Sequence, residues 1–306
     1  MKYHSKKFLS SVLFIIFSSA VQASTYSFAT LDYPGASNTR ITAIDGSSLI
    51  GYHWDTSSSL AHGFLYDGIN WTNLDYPGGI GTGTQIEDIN NGNIVGDYDP
   101  PIHGLNKGFL YNNTGWNSLE FPGSQQSAAS GIDGMKIVGS YEGVDGVEHG
   151  FIYNGSSWSI LDYPGAQGSW AMGIEGDLIV GGYDDSNGNE HGYLFNGSSW
   201  IDLNYPGAIE TMVEDINGSN IVGSYSNGTK EQGFLFDGDK WFTLNYPGAF
   251  DTVVDGIDGG NLVGYYTDAK GTHGYIATVP LPSGLLLFVS AATIMGFFQR
   301  QANSVQ

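Results

Sequence analysis

The sequence predicts an all-β fold, a six-bladed β-propeller of four-stranded blades, from three observations. A motif recurs six times, each repeat contains four short apolar runs, and the two ends of the array complement each other. The motif, Leu-Asp-Tyr-Pro-Gly or a variant, recurs every 41 to 45 residues, starting at Leu31, Leu74, Leu119, Leu161, Leu203 and Leu244. Two further elements, Ile-Val-Gly and His-Gly-Phe or their variants, also occur six times. A repeat of this length is typical of a propeller blade.

The four runs of each repeat predict four strands. In the first repeat they lie at 39–44, 49–54, 63–66 and 71–76, and all are rich in Ile, Tyr, Phe and Trp. Asp45-Gly46 and Asp67-Gly68 separate two pairs of these runs. Two-residue turns of this kind favour tight hairpins, so we expect antiparallel sheets.

The ends of the array predict a closed ring. The last repeat has three runs, at 252–257, 262–266 and 274–279, and lacks the fourth. The segment 26–33 resembles a fourth run with no first three before it. Pairing these two ends would leave no long free edge. We therefore assign residues 24–279 to the propeller, closed by its N-terminal strand.

The N-terminal residues 1–23 predict a secretory signal peptide. Three lysines, Lys2, Lys6 and Lys7, precede an apolar run at 8–17 that is too short to span a bilayer, and small residues end at Ala23. Export to a compartment where thiols oxidise fits the absence of Cys. Cleavage after Ala23 would leave 7 basic against 31 acidic side chains, a charge of -24.

The C-terminal residues 280–306 predict a sorting signal with a short transmembrane helix. Val279-Pro280-Leu281-Pro282 precedes an uncharged stretch at 284–298 and then Arg300. This order resembles the PEP-CTERM signal of Gram-negative bacteria that produce exopolysaccharide, although Leu281 stands where that family usually has Glu, and Arg300 alone represents the basic cluster. The resemblance implies an intermediate held in the inner membrane by the helix, processing by an exosortase, and delivery to the cell surface or extracellular matrix.

The repeat itself resembles the HAF-type extracellular repeat, named for a His-Ala-Phe element. Here that element reads His-Gly-Phe or His-Gly-Tyr in four units, at His62, His149, His191 and His273. The resemblance supports an exported repeat protein and implies no particular activity. Lys107 and Gln232 occupy the two sister positions, so we interpret the histidines as structural hydrogen-bonding residues rather than as a metal ring.

The strong negative charge argues against nucleic acid as a partner, because phosphate backbones are bound through clustered Lys and Arg. The variable connections between second and third strands, all on one face, are the expected binding surface. Trp54, at the entrance to one of these connections, and Trp170, on an axial strand, are candidates to stack on a sugar, with packing as the alternative. Asp97 and Asp99 are further ligand candidates.

Two other residue sets have a structural interpretation. The loop at 184–190 offers Asp184, Asp185, Asn187 and Glu190 as a candidate Ca²⁺ site, with a solvated acidic turn as the simpler interpretation because the full Asp-x-Asx-x-Asx-Gly spacing is missing. Five tryptophans recur at the start of the fourth strand and predict packing between blades, against the glycine of Ile-Val-Gly. They are Trp71, Trp116, Trp158, Trp200 and Trp241.

Several acids fall on predicted axial strands and could form a glycosidase-like set. They are Glu87, Asp88, Glu214, Asp215 and Asp255. No catalytic residue and no cofactor is assigned, apart from the Ca²⁺ candidate. We therefore predict an exported, non-enzymatic binding or structural module of the cell surface or matrix, with exopolysaccharide as a candidate partner. The alternative is a carbohydrate-active or lactone-cleaving propeller enzyme with its site at the channel mouth.

Overall fold

The computed structural model describes residues 26–55, 60–78, 83–100 and 105–278, which form 24 strands in six four-stranded antiparallel sheets. In these ranges no helix is long and apolar enough to cross a membrane. The predicted signal peptide and the C-terminal helix lie outside the described residues.

Each sheet is one blade, and its strands are ordered from the axis outward. The chain opens with β1 (Ser27–Thr30), which belongs to the sixth blade. The first strands of the blades are β2 (Asn38–Asp45), β6 (Gly83–Asn90), β10 (Gln126–Asp133), β14 (Gly168–Glu175), β18 (Glu210–Asn217) and β22 (Asp251–Asp258). The second strands are β3 (Ser48–Trp54), β7 (Asn93–Asp99), β11 (Lys136–Glu142), β15 (Leu178–Asp184), β19 (Asn220–Ser226) and β23 (Asn261–Asp268).

The third strands are β4 (Ala61–Tyr66), β8 (Lys107–Asn112), β12 (Glu148–Tyr153), β16 (Glu190–Phe195), β20 (Glu231–Phe236) and β24 (Gly271–Thr278). The fourth strands of blades 1 to 5 are β5 (Trp71–Asn73), β9 (Gly115–Ser118), β13 (Trp158–Ile160), β17 (Trp200–Leu203) and β21 (Trp241–Leu244). The sixth blade takes β1 as its fourth strand, in the order β1-β24-β23-β22.

The predicted closure is confirmed. Ser27 pairs with Thr278 and Thr30 with Tyr275, so the N-terminal strand completes the last sheet. The strand is shorter than the apolar run 26–33, because the chain turns after Leu31 into the first Tyr-Pro-Gly corner. Phe28 packs its ring on Tyr246 and Tyr275, at centroid distances of 5.5 Å each, which adds a side-chain contact to the backbone pairing.

The core consists of six similar clusters, each shared by two neighbouring blades. Between blades 1 and 2, for example, Ala43 and Ile50 pack against Ile86, Ile94 and Phe109. Successive first strands also contact one another around the whole ring. Each first strand carries a β-bulge at its fifth residue, where its register with the second strand shifts, and such bulges bend a strand.

A ring of six hydrogen bonds joins the ends of the first strands. In each blade the last side chain of the first strand accepts a hydrogen bond from a turn N–H of the next blade. The acceptors are Asp45, Asn90, Asp133, Glu175, Asn217 and Asp258. Asp258 Oδ2 lies 2.7 Å from the Gly46 nitrogen, so this ring also links the last blade to the first.

Candidate functional site

The two ends of the propeller differ, as the sequence predicts. We call the end that carries the connections between second and third strands and the Tyr-Pro-Gly corners the loop face. The other end carries the tight hairpins and is called the hairpin face. The hairpin turns contain glycines with positive φ, such as Gly46 at 59° and Gly134 at 61°. One non-glycine residue among the described ones shares this conformation, Asn91 with φ 50°.

Aromatic stacks hold the corners of the loop face. In each blade the aromatic residue of the corner lies parallel to a ring of the second strand, with centroids 3.6 to 3.8 Å apart. The pairs are Tyr33–His53, Tyr76–Tyr98, Phe121–Tyr141, Tyr163–Tyr183, Tyr205–Tyr225 and Tyr246–Tyr266. These rings are therefore engaged in packing and offer little free face to a ligand.

The repeated histidines are structural, as predicted. His149 Nδ1 lies 2.9 Å from Asp162 Oδ2, and His273 Nδ1 lies 2.8 Å from Asp32 Oδ2. In each case the acid comes from the corner motif that follows the fourth strand. The blade with Lys107 pairs it with Glu120 instead. Each of these side chains bonds to a polar side chain of the corner motif, so this position links the third strand to the corner.

The recurrent tryptophans pack at one repeated position, but their predicted partner is wrong. Trp116 meets the ring of Phe109 edge to face at 4.9 Å and the corner ring of Tyr76 at 5.3 Å. The glycine of Ile-Val-Gly instead faces the third-strand aromatic: a Cβ on Gly96 would lie 2.9 Å from Phe109 Cζ. The glycine thus makes room for the Gln85 carbonyl oxygen, which is nearest, and for Phe109, and the tryptophan packs on the other side of that phenylalanine.

The axial ends of the first strands on the loop face place an arginine opposite a tryptophan. Arg40 and Trp170 hold equivalent positions on the first strands of blades 1 and 4, which are three blades apart. The Arg40 guanidinium carbon lies 4.1 Å from the Tyr265 ring centroid and 5.8 Å from that of Trp54. Trp170 lies over Gly182, where a Cβ would be 2.6 Å from its Cζ2. Both predicted tryptophans are half-buried.

Three carboxyl groups of the axial strands influence one another electrostatically. Burial raises the pKa of Glu87 to about 7, while Arg40 opposes that change. Burial, with the charges of Glu87 and Glu231, raises the pKa of Glu214 to about 8. The pKa of Asp255 is also well above its usual range because of burial and the charge of Glu214, and its Oδ2 has no hydrogen-bond partner. Burial thus favours the protonated form of all three groups.

Asp97 and Asp99 lie at the end of β7, and Asp97 is buried. It is 5% exposed, and its Oδ2 accepts a hydrogen bond of 2.8 Å from Asn106 Nδ2. Burial raises the pKa of Asp97 well above its usual range. Asp97 therefore orients the Asn106 side chain and presents little surface of its own.

Sequence reasoning missed a cavity of about 370 Å³ in blade 3, here called the blade 3 pocket. Its lining residues are Asn106, Gln126, Ser127, Ala128, Ser140, Tyr141, Glu142, Gly146 and Glu148. It lies on the loop face, at the start of β10 and the end of β11. A comparison of repeats gives the reason for it, because Ala128 and Ser140 stand where blade 4 has Trp170 and Gly182. Small side chains thus leave open a space that Trp170 fills one blade further on.

Ser127 distinguishes this pocket from the equivalent place in the other blades, because its hydroxyl lacks the hydrogen bond that they form. In the other five blades, the equivalent Ser or Thr hydroxyl accepts a hydrogen bond of 2.9 to 3.0 Å from the corner backbone, as Thr84 does from the Tyr76 nitrogen. Ser127 is 2% exposed and its Oγ has no partner. A buried polar atom normally has a hydrogen-bond partner, so Ser127 retains a hydrogen-bonding capacity that its five counterparts use on the corner backbone.

A second, smaller cavity lies at the equivalent place in blade 5, here called the blade 5 pocket. It measures about 200 Å³ and is lined by Glu210, Met212, Ser224, Tyr225, Ser226 and Glu231. Met212 occupies the position of Ala128, and Ser224 that of Ser140. The longer methionine side chain accounts for the smaller volume.

The loop with the candidate Ca²⁺ ligands forms hydrogen bonds within itself. The Asp185 carboxylate accepts hydrogen bonds from the backbone nitrogens of Asn187 and Asn189, at 2.7 and 3.0 Å. These bonds, with those from the two side-chain amides, hold the pKa of Asp185 below its usual range. Asp184 and Glu190 pair across neighbouring strands. Within the described ranges, no group of three or more His, Cys, Asp or Glu is arranged to hold a metal ion.

The predicted sorting residues Val279, Pro280, Leu281, Pro282 and Arg300 lie outside the described residues. Their role therefore stays a prediction.

The comparisons agree with the propeller fold. No protein-family model matches the chain, and no curated protein matches it by sequence. Trypanosoma rangeli sialidase aligns over 91% of this chain and 63% of its own, with a TM-score of 0.53 and 9% identity.

Two lectins align more weakly. The fucose-specific lectin from Aleuria aurantia covers 84% of this chain over all of its own length, with a TM-score of 0.47 and 14% identity. The SapL1 lectin, in complex with alpha methyl fucoside, covers 80% of this chain and 97% of its own, with a TM-score of 0.48 and 16% identity. At 9% identity the likeness to the sialidase shows fold alone.

Proposed function

We propose that the chain is an exported, non-enzymatic module that binds polysaccharide at the cell surface or in the extracellular matrix. The blade 3 pocket carries this proposal. Its volume of about 370 Å³ falls in the range of small-molecule sites and exceeds what a single sugar ring occupies. Its lining alternates donors and acceptors, which suits the hydroxyl groups of a sugar.

The roles of the lining residues follow from their chemistry. Glu142 and Glu148 accept hydrogen bonds from sugar hydroxyls, and Glu142 is positioned by the Gln126 amide, which donates to it at 2.6 Å. Asn106 donates from its side-chain amide, held by Asp97. Ser127 lines the pocket, and its buried hydroxyl has no hydrogen-bond partner. Tyr141 is already stacked on Phe121, so we expect recognition by hydrogen bonds rather than by ring stacking.

The test introduces into blade 3 the residue pair, Trp and Gly, that occupies the equivalent space in blade 4. The double variant Ala128→Trp with Ser140→Gly reproduces Trp170 over Gly182, a combination this scaffold already accommodates. We expect binding on a glycan array of residues 24–279 to be lost while the thermal unfolding temperature is kept. Ser159→Trp, on the exposed outer strand of the same blade, adds the same side chain away from the pocket and should bind as wild type. Equal binding by the double variant would refute the assignment.

The sorting part of the proposal is supported by the two terminal sequence patterns. We expect an exosortase-type enzyme to process the chain near Pro282, after a membrane-held stage. Mass spectrometry of the extracellular protein tests this: soluble extracellular material that retains the peptide after Pro282 would contradict it.

A second candidate function is hydrolysis at the axial carboxyl groups. Glu214, Glu87 and Asp255, whose pKa values burial raises, form a set of axial carboxyl groups from which a general acid and its partner could be drawn. Turnover of fluorogenic glycosides or lactones, abolished by Glu87→Gln or by Glu214→Gln, would favour this function over simple binding. We expect no such turnover.

A further inference from the structure

The loop face carries a continuous row of acidic side chains over three consecutive blades. We call it the acidic track and define it by Glu142, Glu148, Asp184, Glu190, Glu210 and Glu231. Three of its members hold the same position, directly before the His-Gly-Phe element or its variant: Glu148 in blade 3, Glu190 in blade 4 and Glu231 in blade 5. The other three blades have Ala61, Asn106 and Thr272 there.

Backbone register places like charges directly opposite each other along this track. Glu142 pairs with Glu148 across β11 and β12, and Asp184 pairs with Glu190 across β15 and β16. Carboxylates in this arrangement repel and destabilise a sheet unless a cation lies between them. The pKa of Glu190 is raised by burial and by the charges of its neighbours on both sides, including Glu210, Glu231 and Glu148. The track is therefore electrostatically continuous from blade 3 to blade 5.

No basic side chain of the described ranges neutralises it. Lys107 pairs with Glu120, and Lys136 pairs with Asp177 on the hairpin face. Lys230 precedes Glu231 in the chain, is exposed, and forms no ion pair with any described residue. The Glu148 carboxylate likewise has no partner there.

The two loop-face pockets lie at the ends of the track. The blade 3 pocket contains Glu142 and Glu148, and the blade 5 pocket contains Glu210 and Glu231. Ser127, which lines the first pocket, is 2% exposed and its hydroxyl has no partner, an observation independent of the acidic side chains. A ligand that fills both pockets must pass Asp184 and Glu190 between them. This arrangement suits a linear polymer whose positive charges repeat along its length.

We propose that the acidic track binds a polysaccharide with free amino groups, a partly or fully deacetylated amino-sugar polymer, across blades 3 to 5. The proposal rests on the glycan-binding function above and specifies its ligand class. Protonated amines would lie between the paired carboxylates, while the sugar hydroxyls bond to Gln126, Ser127 and Ser224. Uronic acid polymers are excluded by the same charges.

The test measures binding of three hexamers to residues 24–279 by calorimetry at about pH 6, where the sugar amine is protonated. The hexamers are β-1,4-linked glucosamine, its fully N-acetylated form, and galacturonic acid. We expect the glucosamine hexamer to bind at least about tenfold more tightly than the acetylated one, the uronic acid not to bind, and the preference to shrink in high salt.

Variants locate the effect. The triple variant Glu148→Gln, Glu190→Gln and Glu231→Gln should lower glucosamine-hexamer affinity by about tenfold or more. The matched triple Asp67→Asn, Asp177→Asn and Asp239→Asn removes equal charge from the hairpin face and should stay within about twofold of wild type, since distant surface charges are screened. Glu190→Gln alone, with its unfolding temperature measured in parallel, guards against misfolding of the triple variant and should weaken binding about threefold.

The outcomes separate the two proposals. Equal binding of the acetylated hexamer, unaffected by the triple variant, overturns the amine assignment and leaves the glycan-binding function standing. Preferred binding of galacturonic acid also overturns it. Binding of no glycan in either the hexamer or the array experiment overturns both.

Discussion

The variant Glu214→Gln should stabilise the propeller in a pH-dependent way. Burial and neighbouring charges raise the folded-state pKa of Glu214 to about 8, against 4.5 for an exposed glutamate. A raised carboxyl pKa means that the folded chain binds the proton more tightly than the unfolded chain. This contribution to stability is complete below about pH 4.5 and is lost as the pH rises toward 8.

The magnitude follows from the interval between the two pKa values. At pH 7 the unfolded chain ionises Glu214 freely, whereas the folded chain holds it protonated. This difference lowers the free energy of unfolding by about 3 kcal/mol. Glu214 is only half-buried, and this partial solvation reduces the figure, so we expect about 1 to 3 kcal/mol. Glutamine is neutral at every pH and removes the cost. Loss of the Glu214 carboxyl group also lowers the pKa of Asp255, which the charge of Glu214 raises.

Thermal unfolding at pH 4, 5.5, 7 and 8 measures the effect. For a domain of this size, about 1 kcal/mol corresponds to about 2 to 4 °C, so Glu214→Gln should unfold up to about 10 °C higher at pH 7 and close to wild type at pH 4. The control Asp239→Asn, in an exposed hairpin turn, should shift neither value. A shift of the same size at every pH, or a loss of stability at pH 8, would refute the reasoning.

Two further predictions concern the ring and the blade interior. Asp258→Ala removes the acceptor of the Gly46 N–H at the junction of the last and first blades. We expect it to lower the free energy of unfolding, measured in urea, by about 1 to 2 kcal/mol. Asp258→Asn keeps an acceptor, as Asn90 and Asn217 do in other blades, and should change that free energy by less than about 0.5 kcal/mol. Equal loss in both variants would contradict the hydrogen-bond account. Gly139→Ala places a Cβ 2.0 Å from the Ala128 carbonyl oxygen and should cost more than about 3 kcal/mol or prevent folding, while Gly260→Ala, with no atom within 4 Å, should be neutral.

The fold was predictable from the sequence because its main determinants are local and repeated. The observed hairpin turn is Gly46-Ser47, one residue later than the predicted Asp45-Gly46, because Asp45 still pairs with Ser48 in the sheet. Its glycine has the positive φ, 59°, that such a turn requires. The closure was predictable because a missing fourth strand and a spare one occur in the same chain. The tryptophan contact was not, because two aromatic rings and a glycine share each blade interior, and spacing alone does not tell which ring approaches the glycine.

The blade 3 pocket was not predicted because large side chains such as Trp54 and Trp170 signal a binding surface in the sequence, whereas an empty space has no residue of its own. A pocket in a repeated scaffold arises where side chains are small. Its signal was present: at the third position of the first strands, Ala128 is the smallest of six residues, which include Arg40, Trp170 and Met212. Comparison of each position across the repeats would have located it.

The departures from six-fold repetition therefore separate scaffold from function. Positions that hold the ring together substitute within one chemistry, as Asp, Asn and Glu do among the six hydrogen-bond acceptors at the axis. Positions on the loop face instead change in size and charge between blades, from Trp54 and Ala61 in blade 1 to Glu142 and Glu148 in blade 3. A purely structural repeat has no reason to concentrate unneutralised carboxylates on three adjacent blades, because they weaken the sheet that carries them. This concentration is best explained by a cationic ligand that offsets the repulsion when it binds.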